Sequence, residues 1–496
     1  EDIAVPFAFG GSVLFMTAGC MFHMHRQVMF VSYMPFLLLA FLCIRRKRLR
    51  WLPLCLCLIW LHSFYYIIGV LAAVGWYWLS VEGRDFRRKY FLKGFVSSTV
   101  LSAGMAAALL IPTGLVILEH RRSGSSPFLL ELFGPNVAFN NLLFNEYGMG
   151  LSFICFYAIL AGLGRKKFRR WSILFLLLGL FGIFSYLLNG TLYARPKILI
   201  PFMPLVILHC ARYFQEAWHR VQISREERLP AGQAGSEENP FPRWPFAVMI
   251  PVGLLWFSQA QFPMILLELF LLLCLCILLR HGRFLKTRPV FRRLPGIVPG
   301  ALALLLALTA PVGLYLTTAQ TEEWVSASEI SAGLTKEEAQ APDLDTRYRF
   351  DSLISPLESS NELIRTGQPR SSMYSSITNR DYSGLYYDTL MTPIRINNRV
   401  AILTSDNPFM TNLMGVRYLE TAKDNIPAGY EILFESGNTV VAENKQVLPI
   451  VYFTGDTISQ EEYDTLGPYE KPDALTRYTI VDGAGSSTPF CSTMES

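Results

Sequence analysis

Acidic residues are scarce in the first two thirds of this chain: residues 1–318 hold 13 Asp and Glu against 31 Lys and Arg. Charged residues make up only 17% of all 496, against 51% hydrophobic, which excludes an ordinary soluble domain. Histidine is also rare, with seven residues. Eight of the nine cysteines lie in or beside apolar runs, and only Cys491 lies elsewhere, so no intrachain disulfide joins exposed cysteines. Cys55-Leu-Cys57 and Cys274-Leu-Cys276 superficially resemble metal ligands. Residues two apart on a helix point to different faces, and no histidine is near, so these read as buried apolar cysteines. The chain has no Walker, dinucleotide-binding, zincin or kinase motif, which removes the common soluble nucleotide and zinc chemistries. It also lacks an initiator Met and a signal peptide: Glu1 leads directly into an apolar run, so a processed chain or a fragment missing its N-terminal sequence is expected.

Long apolar runs are what the sequence has in quantity. A spanning helix needs about 20 mostly apolar residues. Expected spans are 3–22, 27–44, 51–62, 64–80, 94–118, 150–164, 171–188, 198–213, 245–262, 264–280 and 295–318. Trp51 to Ser80 is one 30-residue run with basic clusters at both ends, and a hairpin turning at Leu61-His62-Ser63 keeps both clusters on one side. Five basic clusters, at 45–50, 84–93, 165–170, 212–243 and 280–293, hold 26 of the 31 cations before residue 319. Cytoplasmic loops retain Lys and Arg, so all five are expected inside and the C-terminal part outside. Residues 1–318 carry a formal charge near +18 (31 − 13) and residues 319–496 near −13 (13 − 26). The basic excess flanks membrane spans, which makes nucleic acid a poor partner.

The expected organisation is therefore a polytopic α-helical body of about eleven spans over 1–318, with a flexible cytoplasmic loop at about 214–244, followed by an α+β extracytoplasmic domain over 319–496. In that second part the apolar runs shrink to strand length at 400–403, 430–434, 439–441 and 449–453. Gly437-Asn438 reads as a hairpin turn, and 320–365 as partly helical.

Five cations fall on the outer side: Arg26, Arg121, Arg122, Arg195 and Lys197. Three loops thus bring cations to one depth. Arg offers a planar donor fork for phosphate oxygens and Lys a mobile charge, so a phosphate carried on a lipid is the expected ligand; helix anchoring at lipid headgroups is the bland alternative. His23, His25 and His120 lie at the same boundary, where a proton acceptor could activate a sugar hydroxyl. Glu119 and Glu146 are further catalytic candidates. The His23-x-His25 pair also suits a divalent metal, but no third ligand is identifiable, so no metal residue is assigned and no cofactor is certain. Glu268 is the main ionisable residue inside a span, which is thin support for a proton relay.

His23-Met-His25-Arg26-Gln-Val-Met-Phe30 with Tyr33-Met-Pro-Phe, and Ser63-Phe-Tyr-Tyr66, resemble an outer-loop signature of the YfhO family of bacterial membrane proteins. So do Ser372-Met-Tyr374-Ser-Ser-Ile-Thr-Asn379, Asn412-Leu-Met-Gly415-Val-Arg417-Tyr418, Glu443-Asn444-Lys445 and Leu448-Pro449. The resemblance covers essentially the whole chain. It implies a GT-C-like glycosyltransferase of the bacterial plasma membrane, which transfers sugar from a polyprenyl-phosphate donor to a cell-surface polymer such as lipoteichoic acid. In that superfamily a carboxylate of the first external loop acts as base or metal ligand. Here that loop should precede Glu1, so the role is not carried to Glu1 or Asp2. A flippase of lipid-linked sugars, or a non-catalytic scaffold of envelope assembly, remains the alternative. Topology is open to test by cysteine labelling from outside intact cells: Ser371→Cys should react and Gly235→Cys should not.

Overall fold

The computed structural model describes residues 3–23, 28–81, 90–119, 132–145, 147–191, 194–226, 241–285, 309, 344–354, 368–375, 385–389, 400–402, 404–452, 456–481 and 483. The chain divides into two compact units. The first comprises residues 1–112 and 125–324, and the second 113–124 and 325–496.

The first unit is helical. Its helices are α1 Val5–Met16, α2 Gly19–Phe22, α3 Met34–Arg45, α4 Leu52–His62, α5 Ile67–Val81, α6 Ser97–Met105, α7 Ala107–Glu119 (whose last residues pass to the second unit), α8 Phe153–Gly162, α9 Lys166–Leu180, α10 Gly182–Leu188, α11 Met203–Glu226, α12 Pro245–Leu254 and α13 Phe262–Leu285. Pro6, Pro35, Pro53 and Pro245 stand in the first turns of α1, α3, α4 and α12, where a missing N–H costs nothing. One apolar core runs through the unit, and every residue of α8 is buried in it.

The expected spans are broken more often than apolar length alone implies. Among the described residues, Val28–Arg45 and Pro196–Arg220 are long and apolar enough to cross a membrane. Two bent pairs raise the number to four, so the described helices do not supply eleven. One bent pair is the hairpin: Leu49–His62 and Phe64–Ser80 meet at 119°, at the turn expected near Ser63. The other corrects the single span 94–118, which bends by 76° at Ala106. There the hydroxyls of Ser97, Thr99 and Ser102 turn back onto the carbonyls of Lys93, Phe95 and Thr99, a habit that bends helices. The span 171–188 breaks at Phe181, which leaves helical geometry to bridge Pro135 while the Asn136 N–H donates to Leu180 O at 2.7 Å. Of the loop expected at about 214–244, residues 214–226 are helical, in α11, and 227–240 lie outside the described residues. All of 295–318 except Thr309 lies outside the described residues.

The second unit is built on a four-stranded mixed sheet in the order β1-β4-β6-β5, with β1 Arg349–Ser352, β4 Val416–Ala422, β5 Glu431–Ser436 and β6 Thr439–Glu443. β1 runs parallel to β4, and the other pairs are antiparallel. The β5–β6 hairpin turns at Gly437 (φ +59°) and Asn438, as the sequence leads one to expect. β2 Met373–Ser375 pairs with β3 Val400–Ile402. Beyond the sheet, β7 Thr457–Ser459 and β8 Thr479–Val481 run parallel, and the short helices Gln460–Thr465 and Glu470–Leu475 make the crossover that parallel pairing requires. The strand expected at 449–453 is not formed at Pro449 to Tyr452. The N–H groups of Leu448 and Ile450 instead donate to Asn412 Oδ1 and Arg347 O. Of the stretch 320–365 expected to be partly helical, the described part, 344–354, holds β1; the rest lies outside the described residues.

Asp351 ties this sheet to the segment before β2. Its fully buried carboxylate accepts from the Ser371 and Ser372 N–H groups at 3.0 and 3.1 Å, from both seryl hydroxyls, and from Arg370 Nη2 at 2.9 Å. Burial alone would push this carboxyl up. The hydroxyls of Ser371, Ser372 and Thr404 and the Arg370 charge more than offset that, and it lies below its ordinary value. A depressed carboxylate stabilises the fold above the unfolded pKa of about 3.9, and loses that contribution as pH falls through the lower folded value. Ser371 is thus too buried for labelling, and the exposed Asn438 replaces it as the outer reporter position. Hydrogen-exchange protection of the β4 amides should fall in Asp351→Asn at neutral pH by the equivalent of about 1.5–3 kcal/mol, because the half-buried Arg370 loses its charge-assisted bonds to this carboxylate. The wild type should lose protection only below about pH 4, and the variant should show no such acid step. Unchanged protection in Asp351→Asn would contradict this role.

Candidate functional site

Described parts of four segments expected at the outer boundary meet inside the helical unit: 19–23 with 28–33, 63–66, 141–145 with 147–150, and 190–191 with 194–198. Two close backbone approaches hold them. Gly19 N–H donates to Gly150 O at 2.8 Å, and a Cβ on Gly150 (φ +63°) would lie 2.3 Å from Gly19 N. Likewise a Cβ on Gly69 would lie 2.7 Å from Ile198 O, so only glycine lets the 3-10 turn Pro196–Phe202 rest on α5.

The second approach sets Lys197. Its Nζ stands 4.7 Å from the Tyr65 ring centre and 5.1 Å from that of Phe30. The faces of both rings are negative, so they hold the ammonium by about 0.5–2 kcal/mol each without neutralising it. Behind them Phe30 meets Tyr66 edge-on at 5.8 Å, and Tyr66 stacks on the buried Tyr33 at 5.1 Å. On the other side Phe30 meets the exposed Tyr147 at 6.4 Å. Tyr147 is presented by a tight turn in which Asn145 Oδ1 accepts the Tyr147 N–H at 2.9 Å and Asn145 O accepts that of Gly148 at 3.1 Å. Two residues before Lys197, Arg195 is exposed, with no side-chain partner among the described residues. An amphipathic surface results: an aromatic floor, one ring-held ammonium and one open guanidinium.

The expected site residues are therefore only partly in view. Lys197 and Arg195 flank this aromatic cluster. His23, half-buried and edge-on to Phe22 at 5.3 Å, closes α2, the helix whose start Gly150 holds. His25, Arg26, His120, Arg121, Arg122 and Glu146 lie outside the described residues, and Glu119 is described only as the last backbone position of α7. Among the described residues no three His, Cys, Asp or Glu side chains gather as a metal would need. The sequence reading gave Phe30, Tyr33, Tyr65 and Tyr66 no chemical task, although they stand in the quoted signatures. A cluster of aromatics at span ends beside one cation was the available signal.

Glu268 proves to be a helix cap. Its fully buried carboxylate accepts the Phe153 N–H at 2.8 Å, at the first residue of α8, and Thr309 Oγ1–H at 3.4 Å. The groove between α12 and α13, lined by Phe246, Ile250, Leu254, Phe270 and Leu273, carries no titratable side chain.

Gly69→Ala should push the Pro196–Phe202 turn off α5 and lower the melting temperature of the detergent-solubilised protein by several degrees, the cost of overpacking being about 1–3 kcal/mol. Gly10→Ala, in open space on α1, should leave it unchanged or slightly higher. Equal melting of both variants would refute the close approach.

A family model described as bacterial membrane protein YfhO matches residues 151–485. The matched range includes the motifs between 372 and 449 and excludes those at 23–37 and 63–66, so the resemblance read over the whole chain is supported for residues 151–485. No curated protein and no solved structure matches.

Proposed function

We propose that this chain, which belongs to the YfhO family of bacterial membrane proteins, is a membrane glycosyltransferase acting at the outer face of the membrane. It moves a sugar from a polyprenyl-phosphate donor to a cell-envelope polymer of the lipoteichoic acid kind. On this reading residues 1–318 form a GT-C-like body of about eleven crossings, and residues 319–496 lie outside.

The observation that carries the reading is the open Arg195 beside the ring-held Lys197, at a boundary expected to hold only five of the 31 cations before residue 319. Arg195 supplies the donor fork for a phosphate and Lys197 a second, fixed charge. Arg26, Arg121 and Arg122 are further donor-phosphate candidates on the charge pattern of the sequence alone, since they lie outside the described residues. His23, His25 and His120, with Glu119 and Glu146, are the sequence's candidates for drawing a proton from an acceptor hydroxyl. Against the transporter alternative, Glu268 is engaged in capping α8 and offers no obvious relay.

Arg195→Ala removes a charge-assisted hydrogen bond of about 1.5–3 kcal/mol and should raise the donor concentration required about tenfold or more. Arg195→Lys should recover only part, because an ammonium cannot form the bidentate fork. The assay uses the intact protein, a polyprenyl-phosphate sugar and membranes carrying the acceptor. Unchanged donor dependence in Arg195→Ala at equal expression removes Arg195 from the site, and translocation without transfer favours the flippase.

A further inference from the structure

The other end of α8 and α11 carries a second cationic cluster, assembled from two parts of the sequence. Arg165, Lys166, Lys167, Arg169 and Arg170 enter α9, and Arg212 and Arg220 project from α11. The two groups are joined at Glu216, which takes Lys167 Nζ at 2.7 Å and Arg220 Nη2 at 3.0 Å. Arg165 is buried with its guanidinium 4.5 Å from the Tyr213 ring centre. Among the described residues Glu216 is the carboxylate of this cluster, and Lys167 and Arg220 already occupy it.

The uncompensated charge is therefore localised. Lys166, Arg169 and Arg170 are all exposed, and none makes an ion pair among the described residues. Arg169 Nε donates to Leu163 O at 2.9 Å, which fixes the direction of its guanidinium and leaves both terminal nitrogens for a ligand. Next to them stands half-buried Trp171, edge-on to Trp76 at 6.4 Å. Indoles favour the headgroup level of a bilayer. Like charges held this close repel in a medium less polar than water, and an anion that spans them removes that repulsion.

We propose that this patch seats the phosphodiester headgroup of an anionic glycerophospholipid. Arg169 and Arg170 grip the phosphate oxygens, Lys166 adds charge at the flank, and Trp171 marks the headgroup depth. Glu216 limits the affinity by holding Lys167 and Arg220 away from the ligand. The site is independent of the glycosyltransferase reading and requires only that the protein reside in a membrane.

The full chain is reconstituted in phosphatidylcholine nanodiscs with increasing phosphatidylglycerol, and its thermal midpoint is followed. The wild type should show a saturable rise. Arg169→Gln with Arg170→Gln should abolish the saturable part, whereas Arg46→Gln with Arg48→Gln, from another exposed basic cluster, should retain it. Glu216→Gln should lower the half-saturating phosphatidylglycerol fraction by about fivefold, the effect of one more cation near an anionic surface. Equal losses in the two double variants reduce the effect to diffuse attraction and overturn the proposal. So does an unchanged or weaker response in Glu216→Gln, or the same rise produced by millimolar inorganic phosphate without anionic lipid.

Discussion

The Phe153 amide opens α8 in surroundings that offer no water, and the carboxylate of Glu268 receives it. An unpaired backbone donor costs several kcal/mol in an apolar interior. The Glu268 carboxyl oxygen removes that cost, and α13 is tied to the start of α8. The remaining packing is arranged around that pair. α8 is buried along its whole length and packs on α9, α11, α12 and α13. The loop that precedes it, residues 141–151, reaches back to Gly19 through Gly150. Glu268 thus fixes both the helical core and the loop that presents Tyr147.

Glycine completes the outer site where side chains could not. Had position 69 carried a Cβ, Ile198 O would have to retreat, and Lys197 would leave Tyr65 and Phe30 with it. Placement of the ammonium therefore depends on an absent methyl group on α5. The aromatic floor has a double purpose. It fills the space at the span ends, where rings with a polar edge are favoured, and it leaves Lys197 charged yet confined. Arg195, held by no ring among the described residues, keeps its donor set for an anion.

In the second unit the signature residues prove to be joints of the sheet. Ser372 donates to Asp351, Asn412 receives Leu448 N–H, and Arg417 pairs with Glu443 at 2.8 Å while stacking 4.5 Å from the Tyr348 ring centre. Gly415 (φ +68°) lets Leu448 O approach, and Asn444 N–H donates to Arg417 O. Motifs distant in sequence are brought together by these bonds across and beside the sheet, and their spacing reflects this domain's architecture more than chemistry at a membrane surface.

Several features could be read from the sequence because they depend on local pattern. Helical character followed from apolar run length, the hairpin at Ser63 from basic clusters at both ends of one run, and the β5–β6 turn from Gly437-Asn438 flanked by alternating strands. The unequal partition of cations singled out Arg195 and Lys197 without any contact being known. Other features escaped because they depend on partners remote in the chain. The break at Phe181 needs Pro135 and Asn136, β4 needs β1 and β6, and the capping role of Glu268 needs Phe153. Asp351 looked like any solvated acid until Arg370, Ser371 and Ser372 closed around it. Composition and periodicity determined that this chain enters membranes and folds as helices followed by a sheet, since burial of apolar surface follows local pattern. Only the tertiary structure decided which cation is held by rings, because that choice rests on Ile198 O, some 130 residues away, approaching Gly69 of α5 so closely that an added Cβ would stand 2.7 Å from it.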